Sequence, residues 1–108
     1  MRKIHVLLKK ASYSKRYCGY KELADCLYLV LQDENRLCSI MKVYEEIAKK
    51  YNVNGSCVEK NIRKVNEEAW RKGGKKFINE ISGQHYVVVP KTSELLEIFL
   101  DYLKNDQI

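Results

Sequence analysis

Residues 40–71 constrain the fold more than any other stretch, because two helical patterns meet there at a short turn. The first pattern places apolar side chains at three- and four-residue spacing, at Ile40, Val43, Tyr44, Ile47, Ala48 and Tyr51. The second pattern does the same at Val58, Ile62, Val65 and Ala69. Between them lies Asn-Val-Asn-Gly, residues 52–55, whose asparagines and glycine favour a tight turn. This arrangement predicts a helix-turn-helix.

Most of the remaining chain also has helical spacing. The spacing predicts further helices at residues 2–10, 20–32, 75–82 and 92–106. "HYVVVP", residues 85–90, is the one strand-like run, and it is too short and isolated to build a sheet. One proline and five glycines leave few helix breakers in the sequence. We therefore predict an all-α fold of about six helices with a central helix-turn-helix, and a single domain over residues 1–108.

Residues in and around the turn allow more detailed predictions. Ser56 is predicted to cap the second helix of the motif, with Glu59 three residues later completing a capping box. Ser39 is a candidate cap for the first helix. Ala48 is small enough to let the two helices cross closely. Val53, within the turn, is predicted to fill the gap between them.

The charge is uneven along the chain. The formal net charge is +6, and residues 1–16 carry six basic side chains and no acid. Residues 71–76 add four more basic groups, whereas residues 77–108 are net negative. Blocks of this kind are typical of a surface that binds a polyanion, although an ordinary solvated surface remains the alternative. Tyr13, Tyr17 and Tyr20 lie around Lys15 and Arg16, either as phosphate contacts or as plain surface tyrosines.

Several classes of function have no support in the sequence. The four cysteines, Cys18, Cys26, Cys38 and Cys57, form no closely spaced ligand pair, and the two histidines lie far from them, so we expect no metal. No Ser-His-acid set, nucleophile elbow or phosphate-binding loop is present, so we expect no enzyme, no cofactor and no small-molecule substrate. No apolar run approaches the ~18 residues of a membrane span, and the first residues do not resemble a signal peptide. The expectation is a cytoplasmic protein without a membrane partner.

The second helix of the motif carries the residues with functional potential. The face opposite its apolar residues holds Ser56, Lys60, Arg63, Lys64, Glu67 and Arg71. We predict that residues 56–71 enter the major groove of double-stranded DNA, as recognition helices do. The predicted base-reading residues are Ser56, Glu59, Lys60 and Arg63, and the predicted phosphate contacts are Lys64, Arg71, Lys72 and Lys75. Three alternatives stay open: an ordinary helical hairpin, a module that binds a regulator or polymerase without reading DNA, and an RNA-binding protein.

The same residues carry a family resemblance. "IAKKYNVNGSCVEKNIRKVNEEAW", residues 47–70, resembles the helix-turn-helix of the sporulation initiation regulator (stage-zero sporulation protein A) family. "GYKELADCLYLVL" and "PKTSELLEIFLDYLK" resemble the flanking helices of that family, so the likeness spans roughly residues 5–104. The resemblance implies the family's DNA-binding effector domain, with about six helices. It also implies base-reading roles for Glu59 and Arg63, which match motif positions.

The departures from the family pattern bear on the DNA target. Lys60 stands where the family usually has an arginine, and lysine lacks the planar two-pronged donor that recognises guanine. Cys57 replaces a basic residue and Lys64 replaces a histidine, so we do not assume the family's target sequence for this chain. The resemblance further implies contact of residues 71–83 with the RNA polymerase sigma subunit, and self-association as adjacent copies on DNA. The 108 residues hold no pattern of the family's receiver domain, and whether Met1 is the natural start stays open.

Overall fold

Six α-helices occupy the part of the chain that the structure, a computed structural model, describes, which is residues 1–105. They are α1 (Arg2–Lys10), α2 (Cys18–Gln32), α3 (Ile40–Tyr51), α4 (Gly55–Ala69), α5 (Lys75–Ser82) and α6 (Thr92–Asn105). A 3-10 helix, Glu34–Ser39, links α2 to α3, and a π-helical turn, Trp70–Gly74, links α4 to α5. These residues contain no β-strand, and residues 85–90 are irregular, so the all-α prediction is confirmed. Asp106, the last residue of the predicted final helix, lies outside the described residues.

One hydrophobic core takes side chains from all six helices. The largest fully buried members include Leu7, Leu23, Ile62, Ile78 and Phe99. Burial of each such side chain stabilises the fold by about 1.5–3 kcal/mol. No helix in the described range is long and apolar enough to cross a membrane.

Helix α4 lies against both α2 and α3, and its approach to α2 is unusually close. A β carbon added at Gly19, near the start of α2, would lie 2.1 Å from the carbonyl oxygen of Asn61 in α4. Real β carbons do not approach other atoms so closely. The absence of a side chain at Gly19 therefore lets the two backbones touch, which fixes the position of α4.

The link between α4 and α5 depends on two adjacent glycines. Gly73 has a φ of 125°, a conformation that L side chains rarely adopt. A β carbon at Gly74 would lie 2.4 Å from the carbonyl oxygen of Ala11. The pair thus bends the chain after Ala69 and packs the bend against the end of α1.

The predicted caps of the helix-turn-helix are wrong. The side chain of Asn54 caps α4 by accepting a hydrogen bond from the Cys57 amide at 3.0 Å. Because α4 begins at Gly55, Ser56 is already inside the helix, and its hydroxyl donates to Asn54 Oδ1 at 2.7 Å. Ser39 makes no side-chain cap of α3. Asn54 lies one residue before the helix, where an Asx side chain reaches the free amides, and that geometry excludes the predicted capping box.

Val53 does not fill the gap between α3 and α4. Its side chain is 43% exposed, because the chain turns through a left-handed Asn52 before it reaches α4. Ala48 is 3% exposed, as its place in the apolar pattern of α3 predicts. The prediction for Val53 was wrong, since a side chain that fills a gap between two helices would be buried.

Two of the three tyrosines around Lys15 and Arg16 belong to the core. Tyr13 is 6% exposed, and its hydroxyl donates to Asn66 Oδ1 at 2.7 Å. Tyr20 is 3% exposed, and its hydroxyl is hydrogen bonded to His5 Nδ1 at 2.8 Å. Neither of them is a surface tyrosine, so both interpretations from the sequence were wrong for this pair. Tyr17 is half-buried.

Candidate nucleic-acid interface

The predicted division of α4 into two faces is confirmed. Val58, Ile62, Val65 and Ala69 are buried against α2 and α3. The opposite face is open to solvent along its whole length, at Ser56, Lys60, Arg63, Lys64 and Glu67, and at Arg71 in the following turn. The sequence folds this way because residues three and four apart share one helix face.

The four predicted base-reading residues lie close together on the first three turns of α4. At ~100° per residue they span an arc of about 100° around the helix axis. Lys60 and Arg63 are exposed, Glu59 is half-buried, and the Ser56 hydroxyl is directed to the Asn54 cap. The structure therefore brings together Ser56, Glu59, Lys60 and Arg63 at one end of an exposed helix.

Glu59 and Arg63 form an ion pair within this group. Glu59 Oε1 and Arg63 Nη1 are 3.5 Å apart, one helical turn from each other. A surface pair of this kind contributes little to stability, about 0.3–0.5 kcal/mol, and its partners exchange readily for other hydrogen-bonding groups. Beside the pair is an open groove of about 470 Å³, whose far wall includes Lys91 and Ser93, just before and at the start of α6. The pair is thus available to a ligand that approaches α4.

The four predicted phosphate contacts have different surroundings. Lys64 and Lys75 are exposed, and neither forms an ion pair within residues 1–105. Arg71 is paired with Glu68, and this contact lowers the pKa of the Glu68 carboxyl. The Lys72 amine is 3.3 Å from the Tyr17 hydroxyl and 5.3 Å from the centroid of its ring. Arg71 and Lys72 are therefore held against neighbouring side chains at the C-terminal end of α4.

Buried polar contacts on both flanks position α4, and the sequence analysis missed them. The Glu22 carboxylate of α2 accepts hydrogen bonds from the Asn61 amide at 2.8 and 3.3 Å. Glu22 is 4% exposed, and burial raises the pKa of this carboxyl, an effect that the bond from Asn61 opposes. On the other flank, Asn66 accepts from Tyr13 and donates to Thr92 Oγ1 at 3.2 Å. Asparagine is unfavourable inside a helix, so Asn61 and Asn66 were the available signal.

Three further basic residues lie beside α4 and were not among the predicted contacts. Lys15 and Arg16 come from the loop before α2, and Lys21 comes from its first turns. All three are exposed, and they line a groove of about 440 Å³ that Asn61 of α4 also lines. The basic surface around α4 therefore extends over the start of α2.

Among residues 1–105, no three His, Cys, Asp or Glu side chains are grouped so that they could hold a metal ion. Cys26 is buried, and burial raises its pKa to about 12. Cys57 is exposed on α4.

The sequence of the chain matches a known protein family over most of its length. A family model described as the C-terminal region of the sporulation initiation factor Spo0A matches residues 4–103, which is 100 of the 108 residues. This range differs by one residue at each end from the one over which the sequence motifs resemble the sporulation regulator. The resemblance is therefore confirmed over almost the whole chain.

Proposed function

This chain belongs to the family of Spo0A C-terminal domains, which are DNA-binding transcription-activation domains and not enzymes, and from that premise we propose that α4 reads a specific sequence in the major groove of duplex DNA. In this proposal residues 1–108 act as one effector unit. The core shared by all six helices supports that view.

One observation carries the proposal: α4 has a fixed buried face and a continuous exposed polar face. Its inner side chains are packed, and its contact with Gly19 leaves no room for movement towards α2. The outer face carries Lys60, Arg63 and Lys64. A rigid helix with exposed cations and hydrogen-bonding groups suits the major groove, which is wide enough to admit it.

We assign base reading to Ser56, Glu59, Lys60 and Arg63. Arg63 can donate two hydrogen bonds to guanine O6 and N7 once it leaves Glu59. Glu59 can then accept from cytosine N4, and Lys60 can donate a single bond to guanine. Ser56 lies near the N-terminal end of α4 and can contact either a base edge or a nearby phosphate. Lys64, Arg71, Lys72 and Lys75 are assigned to the DNA backbone.

Selection of bound sequences from a random duplex pool tests base reading directly. We expect one enriched motif of a few base pairs. Arg63→Ala should relax the preference at one position, at a cost of about 1–3 kcal/mol for that base pair. Lys60→Arg should strengthen a guanine preference, because it restores the two-pronged donor.

The control for these variants is a residue assigned to phosphate. Lys72→Ala should weaken binding to the selected and to a random duplex by the same factor, and it should flatten the salt dependence. Equal losses on both duplexes for Arg63→Ala as well would contradict the roles assigned here. Bulk, salt-sensitive binding without any enriched motif would favour a module that acts by binding another protein.

We also propose that residues 71–83 contact the RNA polymerase sigma subunit. The resemblance to the sporulation regulator supports this proposal, as do the exposed Lys76 and Glu80 on α5. Lys76→Ala and Glu80→Ala should lower transcription from a promoter that carries the selected sequence, without a change in DNA affinity. A parallel loss of DNA affinity would contradict a separate polymerase surface.

Self-association on DNA is the last part of the proposal. The resemblance suggests that two copies bind adjacent elements. A duplex with two selected elements should therefore bind the domain cooperatively, and a half-turn insertion between the elements should abolish the cooperativity. Independent binding at both spacings would contradict pairing on DNA.

A further inference from the structure

We propose that the groove between the start of α2 and α4 holds one backbone of the DNA duplex, with Lys15, Arg16 and Lys21 as phosphate contacts. The inference rests on the proposed function and adds residues from a second part of the fold to the interface. These three cations lie outside the helix-turn-helix, in the loop before α2 and in its first turns.

The position of the groove is the first argument. Asn61 of α4 and Val53 of the turn line the same 440 Å³ groove as the three cations. A DNA backbone that flanks a helix in the major groove must pass over the elements on either side of that helix. On the α2 side, the groove is the surface that this backbone meets.

The charge of the groove is the second argument. Lys15, Arg16 and Lys21 are exposed, and none of them forms an ion pair within residues 1–105. By contrast, Arg63 on α4 and Arg71 in the turn after it have carboxylate partners. Three cations without carboxylate partners in the described range therefore face the solvent beside the recognition helix. A polyanion is the kind of ligand that would pair with them.

The acids near the groove do not neutralise it. Glu22 is the one acid among the residues that line it, and both of its oxygens accept hydrogen bonds from Asn61. Glu22 is also only 4% exposed, so its carboxylate is held by Asn61 and is not presented on the open surface of the groove. Nearby Asp25 is bound by the Tyr51 hydroxyl at 2.6 Å and by the Lys50 amine at 3.0 Å. The open surface of the groove is thus positive.

A second basic groove continues from the first. Lys15 also lines a groove of about 610 Å³ beside α1, together with Arg2, His5 and Lys9, and no acid lines it. Since Lys15 borders both grooves, the basic residues beside α4 and the start of α2 adjoin those beside α1. A surface of this length fits an extended phosphate backbone better than a single small anion.

The salt dependence of DNA binding tests the inference. We would measure the affinity of Lys15→Gln, Arg16→Gln, Lys21→Gln and the triple variant for the selected duplex and for a random duplex. Each lost phosphate contact reduces the magnitude of the negative slope of log K against log salt by about 0.9, and at 0.1 M salt this corresponds to a roughly eightfold weaker affinity. The matched control is Lys42→Gln, an exposed lysine of α3 that lies in a different depression beside Asp33 and Glu46.

For the triple variant we expect the magnitude of the salt slope to fall by about 2.7, and the affinity to fall by the same factor on both duplexes. Lys42→Gln should change neither quantity much. A triple variant whose slope equals that of Lys42→Gln would overturn the inference. The two proposals can fail separately. Absence of an enriched motif would contradict base reading by α4, whereas the salt dependence of binding to random DNA would still test the phosphate contacts in the groove.

Neutral methylphosphonate linkages, placed one at a time beside the selected sequence, locate the contacts. The unmodified protein should lose affinity at one or two flanking linkages on one side. The triple variant should show no further loss at the same linkages. Equal sensitivity of both proteins at every linkage would assign those phosphates to other residues and contradict the proposal.

Discussion

Replacement of Gly19 by alanine is the sharpest test of how α4 is held. The added β carbon would lie 2.1 Å from the carbonyl oxygen of Asn61 and 3.1 Å from a methyl carbon of Val65. Ordinary contact begins at 3.4 Å, so the two backbones must separate by about 1.3 Å (3.4 − 2.1). The obstructing oxygen belongs to a helix backbone, and it cannot rotate away as a side chain could.

The magnitude follows from two costs and one gain. Overpacking of a close helix contact costs about 1–3 kcal/mol, and weakening of the hydrogen bonds from Asn61 to the buried Glu22 adds about 1–2 kcal/mol. Alanine recovers at most about 1 kcal/mol through its higher helix propensity. We expect a net loss of about 3 kcal/mol, which lowers the melting temperature of a domain of this size by about 10–15 °C.

Gly55→Ala is the matched control for Gly19→Ala. Gly55 also lies in the first turn of a helix, but a β carbon there would lie 3.4 Å from the flexible Cγ of Glu45. We expect the unfolding free energy of this variant to lie within about 0.5 kcal/mol of the original value, with any change in the stabilising direction. Urea denaturation followed by circular dichroism measures both variants. If Gly19→Ala were as stable as Gly55→Ala, the close approach of α2 and α4 would not exist as described.

Three further predictions concern the cap, a buried hydrogen bond and alkaline pH. Asn54→Ala should destabilise the domain by about 1 kcal/mol in urea denaturation, whereas Ser56→Ala should change it by less than about 0.5 kcal/mol, because the asparagine is the cap. Tyr13→Phe should cost about 1–2 kcal/mol in the same assay, because it leaves the buried Asn66 oxygen without its donor. Burial, as the main cause, raises the pKa of Tyr44 to about 12, so the folded state holds this proton more tightly than the unfolded chain does. The corresponding stability is fully present below pH 10 and is lost as the pH rises towards 12; urea denaturation at increasing pH should show a shallower alkaline decline for Tyr44→Phe than for the original protein.

The helices were predictable because apolar periodicity is a property of the sequence itself. The four apolar residues predicted for the inner face of α4 are all buried, and α1 and α5 have the predicted bounds. The cap of α4 was not predictable in this way. Asn54 and Ser56 are both good capping residues, and the choice depends on which one lies just outside the first turn. That choice follows from the left-handed conformation of Asn52, which fixes how the chain leaves α3.

The burial of tyrosines could also not be predicted from the sequence pattern. Tyr13 lies among serines and basic residues, and its neighbours gave no apolar periodicity. Its hydroxyl can be buried because it donates a hydrogen bond to Asn66, 53 positions away in the chain. Lys21 illustrates the same limit at the surface, since its place beside α4 depends on the packing of two helices. Long-range pairing of this kind cannot be read from local spacing.

The buried polar contacts fix the rotation of α4 about its axis, and so fix which face is exposed to solvent. Apolar packing alone tolerates small rotations of a helix, whereas hydrogen bonds depend strongly on direction. Asn61 and Asn66 lie on opposite flanks of α4, separated by about 140° around its axis at ~100° per residue, and each is bound to a different element. A rotation of about 20° would move a side-chain tip ~5–6 Å from the axis by about 2 Å, enough to break a two-pronged hydrogen bond to a base. Bonds to Glu22 on one flank and to Tyr13 on the other resist rotation in both directions, so buried partners outside α4 determine which of its residues face the solvent.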